Sequence, residues 1–242
     1  MRLSFSIEDL RVEREGVLVL EGFNFASWAP GWIGIVGANG SGKTTLLRAL
    51  AGRLPVQGGR ILLGSDDLTW DRGARADRIG FAVDAAMLPA DLSPREIYGL
   101  SARTRCAIDE PVLAPLRRAL DIESFLDQRC GALSAGMGQR VALLGAFLDL
   151  PAIVVLDEPF NWLDPLTAFD VKSALRALVA EQGLTLITAL HDVTTLTAYC
   201  DRGLLMSSGQ VAMEMDEASL RAGLADLVAF ETAMISRLRA AR

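Results

Sequence analysis

Hydrophobic and polar positions alternate with a period near two through the first 27 residues. Residues 3–10 and 11–20 read as strands with Glu15-Gly16 as a turn, and a shorter strand follows at about 23–27. Residues 33–36 form a compact apolar strand that runs straight into a glycine-rich stretch at 37–42. A helix is expected from about Lys43 to near Gly52, a residue suited to the position just past a helix end. Pro55 and Gly58-Gly59 turn the chain into a strand at 60–64, and another short strand is expected at 79–83.

The period then changes. Ser93-Pro94-Arg95-Glu96 combines an N-cap, a proline at the first helical position and a capping-box glutamate. Asp109 and Pro111 announce another helix, and Ser134 caps a third that runs to about Leu148. Residues 152–156 are continuously apolar, as expected of a strand covered on both faces. A helix from Asp164-Pro165 to near Gly183 and a strand at 185–189 follow. Residues 202–207 and 210–215 read as a hairpin across Ser208-Gly209, and the tail from Glu217 is helical. The expected fold is α/β: one domain with a mainly parallel sheet, an antiparallel β portion at about 1–30 and 60–70, and a helical subdomain at about 85–150.

Composition narrows the class. Apolar residues make up 51% and charged residues 22% of 242, which suits a packed globular core. The most apolar stretch, 141–156, is broken by Asp149 and Pro151 and is too short to cross a bilayer. A net charge of −6 argues against an electrostatic grip on nucleic acid or anionic lipid. Glu8 and Asp9 follow the N-terminus too closely for a secretory signal. Cys106, Cys130 and Cys200 form no metal-ligand pair and read as buried free thiols in a reducing compartment, so the cytosol is expected. Only Lys43 and Lys172 are lysines, and His191 is the sole histidine, so their positions are informative.

Gly37-Ala38-Asn39-Gly40-Ser41-Gly42-Lys43-Thr44 matches G-x-x-x-x-G-K-S/T between a strand and a helix. Glycines let successive backbone N–H groups point inward, and the helix N-terminus adds partial positive charge. Lys43 would neutralise the β- and γ-phosphates, and the Thr44 hydroxyl would ligate Mg²⁺; Thr45 completes the expected nucleotide-binding run. Downstream, Asp157-Glu158 ends the buried strand, at the edge where open parallel sheets collect ligands. Asp157 suits the Mg²⁺ shell, and Glu158 suits a base that polarises the attacking water.

Leu133-Ser134-Ala135-Gly136-Met137-Gly138-Gln139-Arg140 resembles the signature loop of ATP-binding cassette (ABC) proteins. Asn161-Trp162-Leu163-Asp164 resembles the D-loop of that family, and Leu190-His191-Asp192 its switch-histidine loop. With the phosphate loop, these motifs stand in family order across residues 37 to 191. The resemblance implies a P-loop NTPase core of ABC ATPase architecture that hydrolyses ATP with Mg²⁺. It also implies a head-to-tail dimer with a second copy or another cassette. There Ser134, Ala135, Gly136 and Met137 would meet the partner's nucleotide, and Asn161, Leu163 and Asp164 would form the D-loop. Glu158 and His191 would be the catalytic pair, with His191 contacting the γ-phosphate and water.

Four positions depart from the family pattern. Ala135 and Met137 stand where the signature has a glycine and a glutamine, and the Met137 side chain has no hydrogen to donate. Asp84 follows the strand at 79–83, where the Q-loop glutamine is expected; it remains a candidate Mg²⁺ or water ligand. Arg14 lies where the adenine-stacking aromatic is expected, and its guanidinium can stack.

The leading reading is the ATPase subunit of an ABC transporter, bound peripherally at the cytoplasmic face of the membrane. Its permease would be a separate chain, whose coupling helix sits near residues 84–98. General texture, rather than any residue, leans to an exporter-type partner. The alternative is a non-hydrolysing or regulatory cassette, or the weak half of a heterodimer. A cassette acting on DNA or ribosomes is disfavoured by the acidic charge and by the absence of heptads between phosphate loop and signature.

Overall fold

The computed structural model describes residues 5–101 and 107–240. The chain opens with β1 (Phe5–Arg14) and β2 (Val17–Ser27), paired antiparallel across Glu15-Gly16. Positive φ at both turn residues, 53° and 79°, gives the two-residue turn whose twist matches a hairpin. The strand breaks expected near residues 10 and 22 are absent. Asp9 (φ 46°) and Gly22 (φ 70°) sit at register shifts instead, so each strand bulges and continues.

β3 (Gly31–Gly37) leads into α1 (Lys43–Leu50), and β4 (Gly58–Leu63) and β5 (Asp66–Asp67) complete an antiparallel sheet of order β2-β1-β4-β5. α2 (Arg72–Arg78) was not legible from the pattern, because its only buried residue is Arg75. Asp71 caps it by accepting from the Ala74 amide at 2.8 Å. The fully buried Arg75 guanidinium donates to the carbonyls of Leu68 (2.7 Å), Thr69 and Leu54 (3.4 Å), tying this helix to the preceding chain.

After β6 (Ile79–Phe81) comes the helical segment: α3 (Pro94–Ser101), α4 (Ala114–Ala119) and α5 (Ala135–Gly145) with short 3₁₀ turns between. The capping box at Ser93 and Glu96 forms as read, with the Ser93 amide donating to Glu96 Oε2 at 2.8 Å and the Glu96 amide to Ser93 Oγ at 3.3 Å. The helix expected at Asp109-Pro111 is broken into 3₁₀ turns before α4. α5 stops at Gly145, short of Leu148. Then follow β7 (Ile153–Asp157), α6 (Pro165–Gln182), β8 (Thr185–Ala189), α7 (Val193–Tyr199), the β9 (Arg202–Ser207) and β10 (Gln210–Met215) hairpin, α8 (Glu217–Ala225) and α9 (Leu227–Ala240).

The second sheet has the order β10-β9-β3-β8-β7-β6 and is parallel except for the β9–β10 edge pair. Its central strands are apolar on both faces. Trp32 and Val36 of β3, Val154 and Leu156 of β7 and Leu186 of β8 pack toward the helical segment, α6 and α7. Ile33, Ile35, Ile153, Val155 and Ile187 pack toward α1 and the antiparallel sheet. Period-two alternation thus feeds two cores from one strand, which explains the unbroken apolar runs. Among the described residues no helix is long and apolar enough to cross a membrane. Cys200 is buried and Cys130 half-buried, both free; Cys106 lies outside the described residues.

Arg75→Met keeps most of the aliphatic bulk but leaves three carbonyls without their donor. It is expected to lower stability by about 3 kcal/mol, seen as a lower urea midpoint at unchanged slope. An unchanged midpoint would mean that those carbonyls find other partners.

Candidate functional site

The phosphate loop bridges β3 and the start of α1, whose first amides have no partner within the helix. Lys43 Nζ folds back into the loop and donates to the carbonyls of Gly37 (2.8 Å) and Ala38 (3.2 Å). Burial pushes its pKa below the ordinary lysine value, partly offset by the negative charges of Glu158 and Asp157. Ser41 Oγ is buried with no partner. Beneath the loop, the Gly209 amide of the β9–β10 turn donates to the Ser41 carbonyl at 3.0 Å. Gly209 has φ 77°, and a Cβ there would lie 2.0 Å from the Val19 carbonyl oxygen, so only glycine lets the turn approach. The loop residues Asn39 to Thr45 line a groove of about 420 Å³, with Arg14 and Val19 also on its wall and Glu158 facing in.

β7 brings the two carboxylates to the same edge. Burial raises the Asp157 pKa, a hydrogen bond from Thr44 lowers it, and the Glu158 charge raises it. Asp157 Oδ1 is buried without a partner. An orphaned, buried carboxylate oxygen beside a threonine hydroxyl is a donor set that fits a hard divalent cation. Glu158 has left-handed backbone (φ 50°), and its amide donates to the Ala189 carbonyl at 3.2 Å. Both its carboxylate oxygens are engaged: His191 Nε2 lies 2.5 Å from Oε1, and Asn161 Nδ2 donates to Oε2 at 2.8 Å.

Asp84 lies across a cleft of about 220 Å³ from these carboxylates. Its Oδ1 accepts from the Ala86 amide at 3.0 Å, capping the 3₁₀ turn that follows. Among the described residues no three His, Cys, Asp or Glu side chains are grouped to hold a metal, so Asp84 does not join Asp157 and Glu158 in such a set. Arg48 and Gln139 line the same cleft, where the motif reading gave neither a role. Arg48 was within reach, since it stands four residues after Thr44 and therefore on the same helix face. Gln139 gave no such signal.

Ser134 caps α5, its Oγ accepting from the Met137 amide at 3.3 Å. Ser134 and Ala135 are exposed, whereas Met137 is half-buried and packs against the core. The Met137 side chain therefore fills space inside its own chain, which is why a methionine fits there. Gly136 faces the D-loop: a Cβ would stand 2.7 Å from the Trp162 carbonyl oxygen. Trp162 has φ 67° and is 77% exposed, an unusual backbone for a bulky residue. Arg140 reaches Asp164 Oδ2 (3.4 Å) and Thr167 Oγ1 (3.2 Å), while Asp164 Oδ1 caps α6 through the amides of Leu166 and Thr167. Leu163 packs against the core. The signature and D-loop segments thus form one braced unit.

Glycine loop, orphaned carboxylate, and glutamate–histidine pair at the end of a parallel sheet define a nucleoside-triphosphate hydrolase site. The sequence matches the ABC transporter family over residues 20–161. It is 35% identical to the phosphonates import ATP-binding protein PhnC of Ruegeria pomeroyi, across 81% of this chain and 77% of that one. It is 32% identical to the hemin import ATP-binding protein HmuV of Pseudomonas fluorescens, across 84% and 83%. The fold superposes on the ATP-binding subunit of an ABC transporter with a TM-score of 0.80 at 23% identity, covering 97% of this chain and all of that one. A dimeric ATP-binding cassette bound to ADP and Pi gives 0.77 at 21% identity, covering 88% and 98%. The chain belongs to the ABC transporter family, as an ATP-binding, ATP-hydrolysing subunit.

Gly136→Ala should displace the Trp162 carbonyl and with it the D-loop. Steady-state ATPase activity is expected to fall about tenfold, while ATP affinity of the chain's own groove stays within twofold. Unchanged turnover would show that the D-loop tolerates the shift.

Proposed function

We propose that this subunit powers an importer, with Glu158 as the base that polarises the water attacking ATP. The observation that carries the reading is the placement of Glu158. It faces the groove lined by Lys43 and Thr44 while His191 and Asn161 hold its carboxylate from two sides. Lys43, now hydrogen-bonded to loop carbonyls, is the charge that would transfer to the β- and γ-phosphates. Amides of residues 38–45 cradle the phosphates. His191 contacts the γ-phosphate and the water. Thr44 and Asp157 would hold Mg²⁺, which when bound neutralises phosphate charge. Asp84 stays a candidate outer ligand through water.

Assembly follows from which surfaces are exposed. Ser134 and the Gly136 backbone at the α5 N-terminus present donors outward, suited to the γ-phosphate held by a second cassette. Met137 is turned inward, so its missing donor removes nothing from that outward face. This weighs against the non-hydrolysing alternative. A cleft of about 240 Å³ between β6 and the helical segment, walled by Phe81, Val83, Ile97 and Tyr98, suits the permease's coupling helix. The subunit would then sit peripherally on the cytoplasmic face. Import is favoured over the exporter-type partner expected from texture, because the relatives at 32–35% identity are import subunits by name.

Lys43→Ala removes a charge-assisted contact and is expected to weaken ATP binding about 10- to 100-fold, measured by fluorescent-nucleotide titration. Undiminished affinity would remove Lys43 from the phosphate site. Glu158→Gln should bind ATP normally while turnover drops about 10²- to 10⁴-fold. Light scattering of that variant is expected to show a monomer becoming a dimer on ATP addition. Wild-type turnover would rule Glu158 out as the base.

A further inference from the structure

The turn that follows Glu158 is built around one exposed side chain with a single side-chain partner among the described residues. Asn161 closes the turn through its amide, which donates to the Glu158 carbonyl at 3.2 Å. Its side chain then reaches back to Glu158 Oε2 at 2.8 Å. Asn161 itself is exposed and adds nothing to the core. Its neighbour Phe160 supplies the anchorage. The Phe160 ring centroid lies 6.3 Å from that of Trp32, which is fully buried, and the Lys172 ammonium sits over the Phe160 ring, 4.9 Å from its centroid. The carboxamide is therefore presented from a fixed backbone, whereas the carboxylate it meets is on a residue with left-handed backbone and a side chain 33% exposed.

A glutamate that must aim at a water needs its carboxylate plane fixed, because a free side chain spreads over several rotamers. His191 secures Oε1 and the carboxamide secures Oε2, so the plane is held from both sides. Each oxygen keeps a further lone pair for the water. We propose that Asn161 is a positioning residue for Glu158, acting inside its own chain, distinct from any contact the D-loop makes with a partner cassette. The proposal rests on the reading of Glu158 as base.

The test is a double-mutant cycle on the full chain with Mg-ATP. Asn161→Leu keeps the size and removes the donor. It should lower kcat about tenfold or more, with KM within twofold and an unchanged urea midpoint. Asn161→Asp, isosteric and without the donor, should lower kcat at least as far, whereas Asn161→Gln, which retains an amide donor, should recover part of it. In the Glu158→Gln background Asn161→Leu should change the residual single-turnover rate by less than twofold, and ATP-driven dimerisation of the double variant should match that of Glu158→Gln alone. A kcat within twofold of wild type for Asn161→Leu, or an equal fall in both backgrounds, overturns the proposal. Loss of dimerisation also overturns it, by assigning Asn161 to the partner interface. Wild-type turnover by Glu158→Gln would instead bring down the base assignment itself, and the proposal with it.

Discussion

The site depends on the register of three parallel strands. Ile35 of β3 and Asp157 of β7 both pair with Ala189 of β8, so β7 and β8 end level and β3 runs on to Gly37, where the phosphate loop begins. The segments that leave those ends carry Lys43, Glu158 and His191, residues that together span more than a hundred positions of the chain. Parallel neighbours cannot be joined by tight turns, so each connection is a long crossover that packs a helix on a sheet face. Slippage of one residue would turn each strand's alternating apolar set to the wrong core. Core packing and site assembly are therefore the same constraint.

That edge holds charges partly withdrawn from water. Lys43 is buried and its ammonium is satisfied by two loop carbonyls, while Asp157 keeps a carboxylate oxygen without a partner. Burial disfavours the charged form of each. Under the proposed function, a polyanion with a divalent cation would relieve both penalties together, since one charge would gain a phosphate and the other a cation. The same arrangement lets the loop exist without nucleotide, because the lysine closes the glycine loop upon itself.

A second unit is braced differently. The α5 N-terminus and the D-loop are held together by Arg140, Asp164, Thr167 and the close approach of Gly136 to the Trp162 carbonyl. Asn161 links that unit to Glu158. A displacement of the exposed signature face would thus be felt within one turn of the carboxylate, through the Gly136–Trp162 approach and the side-chain contacts of Arg140 and Asn161.

The sequence by itself determined the strand–loop–helix of the phosphate loop, the acidic strand end, the capping box at Ser93 and Glu96 and both two-residue hairpin turns. These are local: glycine at positive φ, a cap three residues from its amide, or apolar runs of strand length. Only the tertiary structure decided that β1 and β2 run on through bulges, that Arg75 anchors α2 from inside, and that Met137 turns to the core. It alone placed Arg48 and Gln139 beside the carboxylates and Asn161 against Glu158. Those outcomes depend on which distant groups share a cleft once the sheet closes, and a hydrogen-bonded polar residue at the surface leaves no hydrophobic period to read.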